Sequence, residues 1–197
     1  MAQAAEKPRH ILGGTKGKLV RFSYLNVHKA RLNTESGKME HGVTALIPKT
    51  NTEDVKFLKD AIKALLKATF TDQKKPIPPG HWNPLRDGDT DTKQNGNAYG
   101  EEAKGHYVLN CKSGEEYPPG VVGTTRTAGD KLARIGVADI KSGDWGRIDN
   151  SLYGYTKGTG GVGIGLNSVQ LVQEGEALSG GRSADDAFGG FEDDDVL

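Results

Sequence analysis

At 197 residues the chain has room for one domain with appendages or for two small ones. Its 28 glycines are about twice the usual share. Each glycine inside a helix costs about 1 kcal/mol, so this composition excludes a helical bundle and favours a turn-rich β protein.

The formal net charge is zero, from 26 Lys and Arg against 26 Asp and Glu, but the charges are segregated. Residues 183–197 hold six acids (Asp185, Asp186, Glu192, Asp193, Asp194, Asp195) and no base, which leaves residues 1–182 with 26 bases against 20 acids. In the first 34 residues Lys7, Arg9, Lys16, Lys18, Arg21, Lys29 and Arg31 stand against Glu6 alone. A cationic body joined to an acidic end is the pattern of a basic binding surface with an interaction tail. Cys111 is the sole cysteine, which excludes an intrachain disulfide and a cysteine metal site. The longest apolar run, residues 43–47, is far short of the ~20 a membrane helix needs. Residues 1–14 lack the apolar stretch of a signal peptide. The expectation is a soluble cytoplasmic protein without membrane contact.

Residues 1–15 read as a mobile arm. From residue 16 the segment KGKLVRFSYLNV alternates, with Val20, Phe22 and Tyr24 on one face and Arg21 and Ser23 on the other, which predicts a strand. Residues 33–38 (NTESGK) have turn composition, and residues 41–48 predict a second strand carrying Val43, Ala45 and Ile47, ended by Pro48. Residues 50–70 predict a helix. Thr50 and Glu53 have capping-box spacing, and Val55, Leu58, Ile62, Leu65, Leu66 and Phe70 form one apolar stripe. Lys56, Lys59, Lys63 and Lys67 occupy the opposite face, solvated or available to phosphates. Residues 71–104 are a long polar loop of the kind that is functional or disordered. Strand character returns at 106–111, around 135–140, at 145–156 and at 161–172. From Gln173 the chain turns to Gly, Ser and acid. The layout is mainly β: a small barrel with one helix, then a disordered tail.

Gly158–Gly163 matches GxGxxG, but VGIGLNSVQLV after it alternates like a strand, so no helix N-terminus is offered to a pyrophosphate. Instead Val162, Ile164 and Leu166 point inward, while Gly161, Gly163 and Gly165 leave the opposite face bare. The apolar phase changes after Asn167 to Val169 and Leu171, which predicts a bulge. Asp87, Asp89 and Asp91 have the spacing that opens a calcium loop. Thr92 and Ala98 stand where Gly and Glu are required, so an acidic turn is expected. The five histidines show no ligand spacing, and Cys111 has no nucleophile signature and reads as a buried thiol. With no catalytic, metal or cofactor set, the expectation is a binding protein and not an enzyme. A Gly-rich structural or decoration protein of a virion is the alternative, although it would not need a basic body with an acidic tail.

Cations interleave with aromatic residues at Lys18, Arg21, Tyr24, Lys29 and Arg31, at Trp82 and Arg86, at Tyr107, at Trp145 and Arg147, and at Tyr153, Tyr155 and Lys157. Single-stranded nucleic acid is held by this mixture, because cations follow the phosphates while rings stack on unpaired bases. Tyr24 and Tyr107 fit a core equally well. Trp82, Trp145, Tyr153 and Tyr155 lie among Gly, Asn and Asp and read as exposed. In the last residues the acids are joined by Phe188, Phe191, Val196 and Leu197, a composition that stays solvated and can dock on a basic partner or on the chain's own cationic body.

Three stretches resemble the single-stranded-DNA-binding proteins of tailed bacteriophages: Ser23-Tyr24-Leu25-Asn26, the Pro84-Leu85-Arg86-Asp87-Gly88-Asp89 turn, and the strand GVGIGLNSVQLV, followed by Gly175-Glu176 and the Gly-rich acidic end. That resemblance implies an OB-fold domain over 16–175 holding single-stranded DNA, and an acidic tail over 176–197. The tail would recruit replication proteins such as a polymerase, a helicase/primase or a nuclease in the host cytoplasm, and a homodimer is an allowed assembly. Many relatives end in an aromatic residue, whereas this chain ends Val196-Leu197.

Overall fold

The computed structural model describes residues 7–34, 36–93 and 95–178. In these residues the apolar/polar alternation forms ten strands and one α-helix. They are β1 (Arg9–Leu12), β2 (Val20–Ser23), β3 (Arg31–Asn33), β4 (Lys38–Pro48), α1 (Thr52–Thr69), β5 (Leu85–Asp87), β6 (His106–Gly114), β7 (Gly120–Arg126), β8 (Leu132–Arg134), β9 (Trp145–Tyr155) and β10 (Gly161–Gln173). Five strands close a ring in the order β2, β4, β6, β10, β9 and back to β2. Its neighbours are antiparallel except β6 and β10, which run parallel and meet where Gly165 faces Lys112. Toward its start, at Tyr107–Leu109, β6 pairs with β5 and not with β10, so the ring is parted there. Trp82 fills the opening by pairing with Gly161 at the start of β10.

Alternate residues of each ring strand fill the interior: Val20 and Phe22, Val43, Ala45 and Ile47, Leu109 and Cys111, Ile148 and Leu152, then Val162, Ile164 and Leu166. Helix α1 lays Val55, Leu58, Ile62 and Leu66 against this core, with Phe70 just beyond its end. Gly154 of β9 lets the helix approach, since a Cβ there would meet the Thr69 side chain. The predicted change of phase in β10 is a bulge, with the register opposite β9 shifting between Leu166 and Ser168. Among the described residues no helix is long and apolar enough to cross a membrane.

Several expectations are corrected. The helix is capped by Asn51, not Thr50, because a turn in which the Asn51 N–H donates to the Pro48 carbonyl (2.8 Å) places residue 51 at the helix entrance. Its Oδ1 accepts from Asp54 N (3.3 Å), and its Nδ2 donates to the Lys18 carbonyl (2.9 Å). Asp54 is buried and accepts from Gly13 N (2.7 Å), while one oxygen lies 2.7 Å from His10 Nε2. With His10 stacked on Phe57, these contacts hold the segment preceding the ring. Residues 9–12, read from the sequence as part of an arm, therefore form β1 along β9, with Leu12 in the core. The strand expected around 135–140 is absent from that stretch, where Val137–Asp139 is a single 3-10 turn and Val137 is exposed. Strand pairing falls earlier, in β7 and β8, because β10 beyond its bulge offers a free edge to Val121 and Val122. The long loop also carries structure, including the short 3-10 turns Thr71–Gln73 and Glu101–Ala103. The acidic residues from 179 onward lie outside the described residues.

Candidate nucleic-acid interface

Because every second side chain of a strand faces outward, β4, β6, β10 and β9 present Thr44 and Leu46, Val108, Asn110 and Lys112, Gly163, and Tyr153 and Tyr155 on one outer surface. Loop residues Trp82, Pro84, Lys93, Asn95, Tyr99 and Ala103 rise opposite this floor and enclose a groove of about 730 Å³. Five rings line it: Tyr24, Trp82, Tyr99, Tyr153 and Tyr155.

The glycines of β10 explain how the rings are set. Gly161 has φ +147°, and a Cβ there would strike the Trp82 backbone. That close approach lets Trp82 N donate to the Gly160 carbonyl (2.9 Å) and Val162 N donate to the Trp82 carbonyl (3.2 Å), so the Trp82 wall is bonded to the ring edge. Gly163 lies opposite Tyr153, whose ring occupies the space a Cβ would need and covers the bare backbone. Tyr155, two residues on, sits 6.5 Å from Tyr153 at a tilt of 50°. Burial, with Tyr153 adding to it, pushes the Tyr155 hydroxyl pKa up, and burial does the same for Tyr99. Both are therefore neutral rings at any physiological pH.

Tyr24 departs from the expected pattern. Strand β2 ends at Ser23, and Tyr24 takes a left-handed conformation (φ +46°). Its ring therefore leaves the face of Val20 and Phe22 and stands 63 % exposed at the groove. Lys93 reaches across with Nζ 5.9 Å from the Tyr24 ring centre, and Lys7 lies over Tyr153 at 5.4 Å. Lys112 also lines the groove, 3.5 Å from Glu40. Charges of both signs are thus interspersed with the rings, since Glu40 and Glu102 line the groove together with Lys93 and Lys112.

Of the thirteen candidates named from the sequence, Tyr24, Trp82, Tyr153 and Tyr155 line this groove. Arg86 lies behind it, with its guanidinium 5.8 Å from the Trp82 ring and 3.5 Å from Asp91. Lys157 is exposed in the turn that joins β9 to β10. Lys29 and Arg31 are exposed in and before β3. The others serve elsewhere. Lys18 donates to the Thr50 carbonyl (3.1 Å). Arg21 lies over Trp145 and donates to the carbonyls of Gly143 (3.1 Å) and Glu176 (2.9 Å). Arg147 donates to the Gly13 carbonyl (3.2 Å) and to Gln170 (3.2 Å). Tyr107 faces away from the groove, between Lys49 and Lys59. Lys93 and Tyr99 were not evident in the sequence, where they are single residues in a polar loop. Lys112 had a signal, because alternation from Val108 through Asn110 puts it on the outer face.

The family model described as the single-stranded-DNA-binding protein of Enterobacter phage Enc34 matches residues 14–197. The chain belongs to this family. Its fold is similar to that of the Enc34 single-stranded-DNA-binding protein solved in complex with ssDNA, with a TM-score of 0.65 at 18 % identity over 82 % of this chain and 87 % of that one. Another structure of the Enc34 protein gives a TM-score of 0.63 at 18 % identity, covering 89 % and 97 %. Gp2.5, a single-stranded DNA-binding protein encoded by bacteriophage T7, gives 0.51 at 16 % identity, covering 98 % and 99 %. Comparison with curated proteins finds no match.

Proposed function

We propose that this member of the Enc34 family coats single-stranded DNA without strong sequence preference during phage replication or recombination, and that its five-stranded ring is an OB fold. The observation that carries the reading is the groove, where five rings and two lysines share one surface at the place where the ring is parted. Bases stack on Tyr24, Trp82, Tyr99, Tyr153 and Tyr155, which accept any base because each has a π face. Lys93 and Lys112 offset phosphate charge. The printed description of the family and the DNA-bound relative support the same ligand. The protein acts in this reading as a binder and not an enzyme, in the cytoplasm of the host.

The acidic residues 183–197 take the role of recruiting replication proteins, with Phe188, Phe191, Val196 and Leu197 as anchors. The chain leading to them passes beside the groove. Gly175 N donates to buried Asp144 (2.9 Å), Arg21 holds the Glu176 carbonyl, and Leu178 packs with Leu46, Ala103 and Val108. Titration with oligo-dT at rising salt tests the DNA reading. Affinity falls with a log–log slope of about −0.7 per phosphate neutralised; a salt-independent response, or no binding, contradicts it.

A further inference from the structure

The turn Asp87-Gly88-Asp89-Thr90-Asp91 has the spacing of a cation loop, and two of its carboxylates close around a cation supplied by the chain itself. Lys49, just past the end of β4, donates from Nζ to both oxygens of Asp87 (2.6 and 2.8 Å) and to Asp89 (2.6 Å). Backbone N–H groups add further hydrogen bonds. Asp87 accepts from Asp89 N (2.9 Å), Asp89 from Gly105 N (2.9 Å), and Asp91 from Asp87 N (2.7 Å). Lys49 N donates in turn to the Gly105 carbonyl (3.0 Å). Gly88 closes the knot, since a Cβ there would run into the Ala103 carbonyl. Three stretches distant in sequence are joined here: the exit of β4, the turn after β5, and the entry to β6.

The knot lies behind the groove, and none of Lys49, Asp87 or Asp89 lines it. It is nevertheless continuous with the loop wall on both sides. Upstream, Arg86 stands between Asp91 and the Trp82 ring. Downstream, the residues that return to Ala103 carry Lys93 and Tyr99. We propose that Lys49 is a positioning residue for DNA binding, whose ammonium, held by Asp87 and Asp89, sets the distance of the Trp82–Tyr99 wall from the Tyr153–Tyr155 floor. This rests on the groove being the DNA site.

The test uses the full chain in a Trp145→Phe background, which leaves Trp82 as the only tryptophan. Lys49→Met weakens oligo-dT binding by about 5- to 140-fold, the value of one stacked base. It leaves the salt slope unchanged and raises acrylamide quenching of Trp82 in the DNA-free protein. Lys49→Arg, which keeps a cation for both carboxylates, restores most of the loss, whereas Lys49→Met combined with Asp87→Asn and Asp89→Asn does not. Asp89→Asn alone gives the same changes in milder form and serves if Lys49→Met does not fold. Unchanged affinity and quenching overturn the proposal. So does a salt slope smaller by about 0.7, the signature of a direct phosphate contact, or full recovery in the triple variant, which would assign the effect to charge. If the parent fails to bind oligo-dT, the DNA reading falls, and Trp82 quenching still decides whether Lys49 holds the wall.

Discussion

Removing the Tyr153 ring is the sharpest single perturbation of the groove floor. Tyr153 is 39 % exposed and lies over Gly163, where no side chain can replace it. Its ring therefore rests against the β10 backbone and exposes part of its face to the groove, beside Lys7. Stacking one base on such a face is worth about 1–3 kcal/mol. At 1.4 kcal/mol per tenfold, Tyr153→Ala should weaken oligo-dT binding by about 5- to 140-fold. Tyr153→Phe keeps the stacking surface and should stay within about twofold of the parent. Fluorescence anisotropy of a labelled oligo-dT at fixed salt measures both, and far-UV circular dichroism checks that the ring strands are intact. A Tyr153→Ala affinity within about twofold of the parent would refute the stacking geometry.

Leu58→Ala, at a fully buried position where α1 meets the ring, should cost about 2–5 kcal/mol and lower the melting temperature by about 4–20 °C, read by calorimetry. The hydrogen bonds from Lys49 hold the carboxyl pKa values of Asp87 and Asp89 below the ordinary range. The stability they contribute is complete above about pH 4 and is lost as pH falls through the lowered values. Trp82 emission in the Trp145→Phe protein should hold steady from about pH 7 to 4 and change only below; a change between about pH 7 and 5 would contradict the knot. Burial pushes the Cys111 thiol up to about 12. The native protein should therefore be inert to a thiol reagent near pH 8 and react on unfolding, whereas prompt stoichiometric labelling would contradict its burial.

The elements that could be read in advance are those whose own residues carry the decisive pattern. Helix α1 has a complete apolar stripe, β9 and β10 alternate over long stretches, and the phase change at Asn167 reported the bulge before any pairing was known. Strands β7 and β8 were not legible. GVVGTTR and LAR are short, and they extend only because β10 presents an edge to them. The same limit applies to the site. Aromatic residues among Gly, Asn and Asp read as exposed at Trp82, Trp145, Tyr153 and Tyr155, but of these only Tyr153 is exposed. Trp82 and Tyr155 are half-buried in the groove, and half-buried Trp145 lies away from it under Arg21. Arg21 and Arg147 bear the same charge in sequence as a DNA contact would, yet neighbouring carbonyls brought close by the fold take their donors. Tyr24 leaves the face that alternation assigns to it, because alternation assumes a continuing strand and a left-handed residue breaks it.

Ultraviolet cross-linking of oligo-dT to the full chain, with the attached residues identified by mass spectrometry, asks directly where the nucleic acid lies. Cross-links should fall on Tyr24, Trp82, Tyr99, Tyr153 and Tyr155, the rings of the groove. Cross-links concentrated instead on Tyr107, exposed Tyr117 or Trp145, with the groove rings unmodified, would place DNA on another surface and contradict the assignment.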